Sequence, residues 1–269
     1  ADLNDLATGK VFDHSKWFEY CEKLKGDFPL IEENHESKGY ENSYKFIDTF
    51  SNLLGNDDII VTDMGTALLS GHQVIKLKSN QTMFTSLGLG EMGYGLAGAI
   101  GAGFAEPNRQ VICLNCDGGI MMNLQELHTI IENNIKVKIV IFNNDGYLMI
   151  KHTQKMLFKG KYNSVDKKTG IGLPNFSKLL PAFGYNYYRF NEKDREESIK
   201  IFLDDPNQSV LEVFMDPEQA FSPKVKGVLN DDNTILSPPI EEMSPILPLD
   251  IIKDKMLVKL DQKSYEIKR

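Results

Sequence analysis

Cysteine is scarce. Cys21, Cys113 and Cys116 are the only three in 269 residues, and an odd, unpaired set excludes a disulfide framework and implies a reducing compartment. Long apolar runs are also missing. The longest low-polarity stretch, Tyr94–Ala105, is interrupted by glycines and falls well short of the roughly 20 residues that cross a bilayer. Positive charge is in deficit, with 30 Lys+Arg against 38 Asp+Glu, a net charge of −8 and a pI near 5.2. With Lys and Arg scattered, this balance excludes a general phosphate-backbone binder. Residues Ala1-Asp2-Leu3-Asn4-Asp5 show neither a basic n-region nor an apolar h-region, so no secretory leader is expected. The missing initial Met points to a processed or excised chain. The expectation is a soluble, cytoplasmic protein without nucleic-acid or membrane partners.

What is present suits an ordinary globular α/β chain, 41% hydrophobic and 25% charged. The single tryptophan lies in an amphipathic pattern of Trp17, Tyr20, Cys21 and Leu24 at helical spacing, ending near Gly26. A polar loop over 32–42 leads to a second helical pattern through Tyr44, Phe46, Ile47, Phe50, Leu53 and Leu54. The period then changes. Residues 57–63 form a short β-branched run, and strands follow at 110–115, 136–142, 185–190 and 209–215, with helices at 121–132, 175–183 and 193–203. A poor, short strand pattern covers 82–86. Strands alternating with helices imply βαβ units and a doubly wound, mainly parallel six-stranded sheet with helices on both faces. Residues 1–35 read as a helix and the start of a polar loop, 36–215 as the main domain, and 216–269 as a Pro-rich tail expected to act as a lid.

In open parallel sheets ligands bind beyond the carboxyl ends of strands. Three turns there carry side-chain oxygens: Thr62-Asp63-Met64-Gly65-Thr66, Asn115-Cys116-Asp117-Gly118-Gly119 and Asn143-Asn144-Asp145-Gly146-Tyr147. The second opens a helix, whose free N–H groups suit an anion. Asp117 and Asn144 end two different strands. Together with a carbonyl from a glycine turn they make a hard-oxygen site of the kind that holds Mg²⁺ beside ligand phosphates. Taken singly, Asp117 reads equally as a helix cap and 143–146 as a turn. Gly88-Leu89-Gly90-Glu91-Met92-Gly93 matches G-x-G-x-x-G, which leaves open an NAD(P)-dependent oxidoreductase with Asp117 as the acidic residue. The competing reading is a glycine-lined helix start in which Gly93, Gly95, Gly98 and Gly101 allow close packing.

The Asp117-Gly118 pair followed 27 residues later by Asn144 resembles the GDG-to-NN motif of thiamine-diphosphate enzymes. The segments Thr62-Asp63-Met64-Gly65, Gly88 to Leu96, Met122-Asn123-Leu124-Gln125-Glu126-Leu127 and Pro239-Ile240-Glu241-Glu242-Met243-Ser244-Pro245 are similar to the acetolactate synthase branch. The resemblance runs from about residue 40 to 250, and residues 1–35 resemble the linker and helix that leave a preceding domain in that family. It implies the thiamine-diphosphate-binding fold, with thiamine diphosphate and Mg²⁺ as cofactors. It also implies decarboxylation and carboligation of a 2-keto acid. Asp117 and Asn144 are then side-chain ligands of Mg²⁺, with the Gly146 carbonyl as the third protein ligand. Gly118, Gly119 and Ile120 give N–H groups to the diphosphate, Gly65 and Thr66 flank it, and Tyr147 joins the cofactor-binding set. The catalytic pair is Gly90, whose carbonyl accepts from the aminopyrimidine, and Met92, the apolar wedge that bends the cofactor.

The sequence departs from the family pattern in three places. Cys116 stands where the motif's first glycine is expected, and no basic neighbour makes it a nucleophile. Thr153 occupies the position of a family tryptophan that shapes the acceptor pocket, with His152 beside it as a candidate acid or base, which suggests a polar acceptor. The glutamate that activates the cofactor belongs to a separate pyrimidine-binding domain in this family, and 269 residues leave no room for it. The resemblance therefore implies half of an active site, with the glutamate supplied by a longer chain or a separate subunit in a homo- or hetero-oligomer. The alternative is a non-catalytic cofactor-binding subunit of a split enzyme.

Overall fold

The computed structural model describes residues 8–9, 13–31, 39–229, 234–267 and 269; the expectations for residues 1–5 and for the loop over 32–38 lie outside them. The chain divides into two units, residues 33–221 and residues 1–32 with 222–269.

The larger unit holds the six-stranded sheet that the alternating pattern predicts. Its strands are β1 (Ile59–Thr62), β2 (Thr82–Phe84), β3 (Val111–Cys116), β4 (Val137–Asn143), β5 (Asn186–Arg189) and β6 (Ser209–Phe214). All pairings are parallel, in the order β2-β1-β3-β4-β6-β5. The central strands β1 and β3 are buried throughout, as a strand covered on both faces must be. The edge strands β2 and β5 are only half-buried or exposed along their length. From β1 the chain crosses to β2 on one side, then returns past β1 to β3 and β4 on the other. Crossovers diverging in this way open a crevice between β1 and β3, at the carboxyl ends of the strands.

Alternate side chains of each strand feed opposite cores. On one face Val61, Val111, Cys113, Ile139 and Ile141 pack with Leu96 and Ala99 of helix Tyr94–Ala105, Leu127 and Ile130 of helix Glu126–Glu132, and Phe176 and Leu180 of helix Phe176–Ala182. On the other, Phe46 of helix Ser43–Leu53 meets Phe142 edge-on at 5.6 Å and stacks on Phe50 at 5.3 Å. That helix starts where expected, with Asn42 accepting from the Tyr44 N–H at 2.9 Å, and it packs against helices Thr66–Val74 and Arg195–Asp204.

Two expectations are corrected. The helix read as continuous over 121–132 is a 3-10 turn, Ile120–Asn123, followed by helix Glu126–Glu132. The tight turn is closed by the Met122 N–H on the Gly119 carbonyl (3.1 Å), and the Asn123 amide bonds outward to the Gly93 carbonyl instead of facing solvent. In helix Tyr94–Ala105, the small-residue face uses Gly95, Gly98 and Gly103, whereas Gly101 has nothing within 4 Å of the place a Cβ would take.

The smaller unit contains helix Ser15–Asp27, the antiparallel pair β7 (Val228–Leu229) and β8 (Ile235–Leu236), and helix Leu249–Lys255. Tyr20, Cys21 and Leu24 are half-buried as their spacing predicts, but Trp17 is 57% exposed. Tyr20 donates its hydroxyl to the Lys255 carbonyl, and Lys255 pairs with Asp27 at 2.7 Å. Arg269 holds the buried Glu242 through both guanidinium nitrogens, at 2.6 and 3.1 Å. Among the described residues no helix is long and apolar enough to cross a membrane.

Candidate functional site

The ends of β1, β3 and β4 and the turn over 88–93 converge on a cleft of about 360 Å³. It is lined by Gly65 and Thr66 after β1, Asp117, Gly118 and Gly119 after β3, Asn144, Gly146 and Tyr147 after β4, and Gly90 and Met92 from the turn. Ten of the eleven residues singled out in the sequence thus meet in one place. Ile120 is the exception, since its side chain belongs to the apolar core, so it has only a backbone N–H to offer.

Asp117 organises this end of the sheet. Its carboxylate is 1% exposed, with Oδ1 accepting from Gly118 N (2.7 Å) and Oδ2 from Asn144 N (2.9 Å) and Gly146 N (3.2 Å). The glycine turn after β4 is thereby laced to the turn after β3. Burial pushes the Asp117 carboxyl up to about 7, against the opposing backbone N–H groups of Gly146, Gly118, Asn144 and Asp145. A bound cation reverses that cost by favouring the charged form.

The donor set fits a hard divalent ion. Asn144 Oδ1 is buried without a hydrogen-bond partner, as is Thr66 Oγ1 at the start of helix Thr66–Val74. Buried polar atoms ordinarily have partners, so both oxygens are provisioned for something that enters the cleft. Among the described residues no cluster of three or more His, Cys, Asp or Glu is arranged around a metal position. One carboxylate, one amide oxygen and one carbonyl suit an ion that draws its remaining ligands from phosphate oxygens.

At the turn after β3, glycine leaves no room for a Cβ unless a neighbour moves. A Cβ on Gly118 would lie 2.0 Å from Tyr147 Cε1, and one on Gly119 would lie 1.9 Å from Asp63 Oδ2. Bare backbone therefore faces the cleft. The Cys116 thiol donates to the Met64 carbonyl at 3.2 Å, and burial pushes it far up, so it is inert as a nucleophile.

Sequence reasoning left Asp63 and Asn123 without a role. Asp63 Oδ1 accepts from Gly93 N (2.8 Å) and Gly95 N (3.0 Å), and Asn123 Nδ2 donates to the Gly93 carbonyl (2.8 Å). The available signal was an acid directly after a fully buried strand. Met149 and Ile150 line the cleft from helix Leu148–Leu157. On that helix Thr153 is exposed, with its hydroxyl on the Met149 carbonyl at 3.1 Å. His152 does not line the cleft, and its ring lies 5.9 Å from that of Phe221.

The dinucleotide reading is poorly served by this geometry. The strand before Gly88 is three residues long and lies at the sheet edge.

Residues 63–213 match the family model described as thiamine pyrophosphate enzyme, C-terminal TPP binding domain. This chain belongs to that family. It is 34% identical over 197 residues to an acetolactate synthase large subunit of Porphyra purpurea, covering 73% of this chain and 32% of that protein. It is 32% identical over 213 residues to the acetolactate synthase isozyme 1 large subunit of Escherichia coli (strain K12), covering 78% and 37%. With the acetolactate synthase large subunit of Lactococcus lactis subsp. lactis (strain IL1403) it shares 30% identity over 236 residues, covering 87% and 39%. The chain thus spans about a third of the length of these curated relatives. Within the thiamine pyrophosphate enzyme domain, the matched region includes all four turns that form the cleft.

Proposed function

We propose that this chain supplies the diphosphate-binding half of a thiamine-diphosphate- and Mg²⁺-dependent site that decarboxylates a 2-keto acid and joins the remaining fragment to an acceptor. The observation that carries the reading is the convergence on one cleft of Asp117, with the unpartnered Asn144 Oδ1 and Thr66 Oγ1, and a glycine backbone that leaves no room for a Cβ while its neighbours stay in place. The bound cofactor supplies the electron sink for decarboxylation, and the protein's part is anchoring and orientation.

In this reading Asp117, Asn144 and the Gly146 carbonyl hold Mg²⁺, while the N–H groups of Gly119 and Ile120 receive the diphosphate, with Gly65 and Thr66 flanking it; the Gly118 N–H expected to join them is instead taken by Asp117 Oδ1 at 2.7 Å. Such preorganised donors need no rearrangement when charge arrives. The Gly90 carbonyl orients the aminopyrimidine and Met92 serves as the apolar wedge, with Tyr147 closing the cofactor-binding set. Met149 and Ile150 keep the reacting end apolar and poor in water. A polar acceptor is part of this reading because Thr153 stands where the family carries a tryptophan, although Thr153 is exposed and does not itself line the cleft. The activating glutamate comes from a pyrimidine-binding domain, in a longer chain or a partner subunit of an oligomer.

Calorimetric titration of the complete protein tests this reading. Thiamine diphosphate is expected to bind with Mg²⁺ and to be lost with chelator. Binding that is absent, or equal with and without the cation, refutes the assignment.

A further inference from the structure

The four turns of the cleft are not held equally. Those after β3 and β4 are tied to each other by Asp117. The turn over 88–93, which carries Gly90 and Met92, has little packing at its tip, where Leu89 is 87% exposed. Its internal closures are the Gly90 N–H on the Ser86 carbonyl at 2.9 Å and the Ser86 hydroxyl on Glu91 Oε2 at 2.7 Å.

Its approach is tied to β1 by the Thr85 hydroxyl on the Thr62 carbonyl at 2.9 Å, and its far end is tied at Gly93, from both sides. The N–H goes to Asp63 Oδ1, which also takes the Gly95 N–H, and the carbonyl accepts from Asn123 Nδ2. Asp63 is itself rigid, because its own N–H continues the β1–β3 ladder to the Leu114 carbonyl at 2.8 Å. Its second oxygen, Oδ2, is buried and unpartnered and faces the place a Gly119 Cβ would take. Asn123 stands one 3-10 turn beyond Gly119. Both anchors of the 88–93 turn therefore grow from the same backbone that forms the anion end of the cleft.

We propose that Asp63, seconded by Asn123, is a positioning residue that registers the Gly90–Met92 turn to the Gly118–Gly119 backbone, so that the ring end and the diphosphate end of one cofactor are gripped at a fixed separation. The inference rests on the function proposed above. Removing the carboxylate leaves two buried N–H groups without an acceptor, which displaces the turn toward water. The contacts among Asp117, Gly118, Asn144 and Gly146 do not pass through Asp63 and persist.

The test is a pair of titrations on the complete protein with Mg²⁺ present, one with thiamine diphosphate and one with inorganic pyrophosphate, which engages the anion end alone. Asp63→Ala is expected to weaken thiamine diphosphate by roughly tenfold or more and to leave pyrophosphate within about twofold. Asp63→Asn, which keeps an oxygen for Gly93 and Gly95, is expected to restore most of the loss. Asn123→Ala is expected to show the same selectivity, and it carries the test if Asp63→Ala does not fold. Equal weakening of both probes, or of neither, overturns the positioning role. Wild-type protein that binds neither probe overturns the proposed function instead.

Discussion

The contact between Gly118 and Tyr147 makes a demanding prediction. In Gly118→Ala the new methyl carbon would sit 2.0 Å from Tyr147 Cε1 and 2.5 Å from Cδ1, whereas carbon atoms rest at roughly 3.5–4.0 Å. One partner must move by about 1.5 Å or more. The Gly118 N–H is held by Asp117, and the Tyr147 backbone donates to the Val165 carbonyl at 2.8 Å. The ring is the softer element, and it borders the cleft. Overpacking of this kind costs about 1–3 kcal/mol, but a ring that swings into open space largely avoids the cost while the cleft is empty. The penalty then falls on binding, as a loss of about 5- to 150-fold in thiamine diphosphate affinity. Calorimetry should show this weakening, with a thermal midpoint in the absence of ligand close to that of the parent. In Gly118→Ala/Tyr147→Ala the clash has no partner, so the double-mutant cycle should give a coupling of at least about 1 kcal/mol. Losses that simply add, or a Gly118→Ala protein that binds normally, would refute the steric reasoning.

Asp117→Ala should abolish the Mg²⁺-dependent rise in thermal midpoint with thiamine diphosphate, a stabilisation of about 2.7 kcal/mol at a ligand concentration one hundred times Kd; an unchanged rise excludes the metal assignment. Glu212, buried on β6, accepts from Asn143 Nδ2 at 2.5 Å and from the Tyr187 hydroxyl. Glu212→Ala should therefore cost about 1–3 kcal/mol in urea unfolding, whereas a midpoint shift under a few tenths of that contradicts the network. Burial holds the Asp58 carboxyl above its ordinary range, outweighing the Gly55 N–H that donates to it at 2.7 Å. The folded state then binds the proton more tightly than the unfolded chain, so Asp58 supports stability below its unfolded pKa of about 3.9 and loses that support as pH rises through the raised folded value. Asp58→Asn should flatten this part of the stability–pH curve, and an identical curve disproves the shift.

The strands were readable because burial on both faces demands the β-branched runs at 59–62, 111–114 and 137–142. Their order was not. Nothing local says that β1 lies between β2 and β3 or that β6 enters between β4 and β5, because that choice is made by packing between elements distant in sequence. The cleft followed from side-chain oxygens placed at strand ends, and the spacing of Asp117 and Asn144 reflects two adjacent strands with one helix between them. Asp63 escaped because its partners are the N–H groups of Gly93 and Gly95, thirty and thirty-two residues away, and a backbone donor leaves no mark on residue type. The break near Leu124 was hidden for a related reason, since Asn123 turns to a carbonyl in another loop.

Helix Tyr94–Ala105 holds four glycines in twelve residues, each costing about 1 kcal/mol of helix propensity relative to alanine. Alone in water such a segment stays uncoiled. Yet hydrogen is the only substituent that fits at Gly95 against Asp63 and at Gly103 against Ile135, where a Cβ would approach to 2.7 and 2.1 Å. The sheet therefore holds this helix closely at both ends, at Gly95 through the residue that follows β1 and at Gly103 through the segment that leads into β4. Glycine here trades intrinsic helicity for contact, so that the coil of this segment is a property of the assembled sheet rather than of its own sequence.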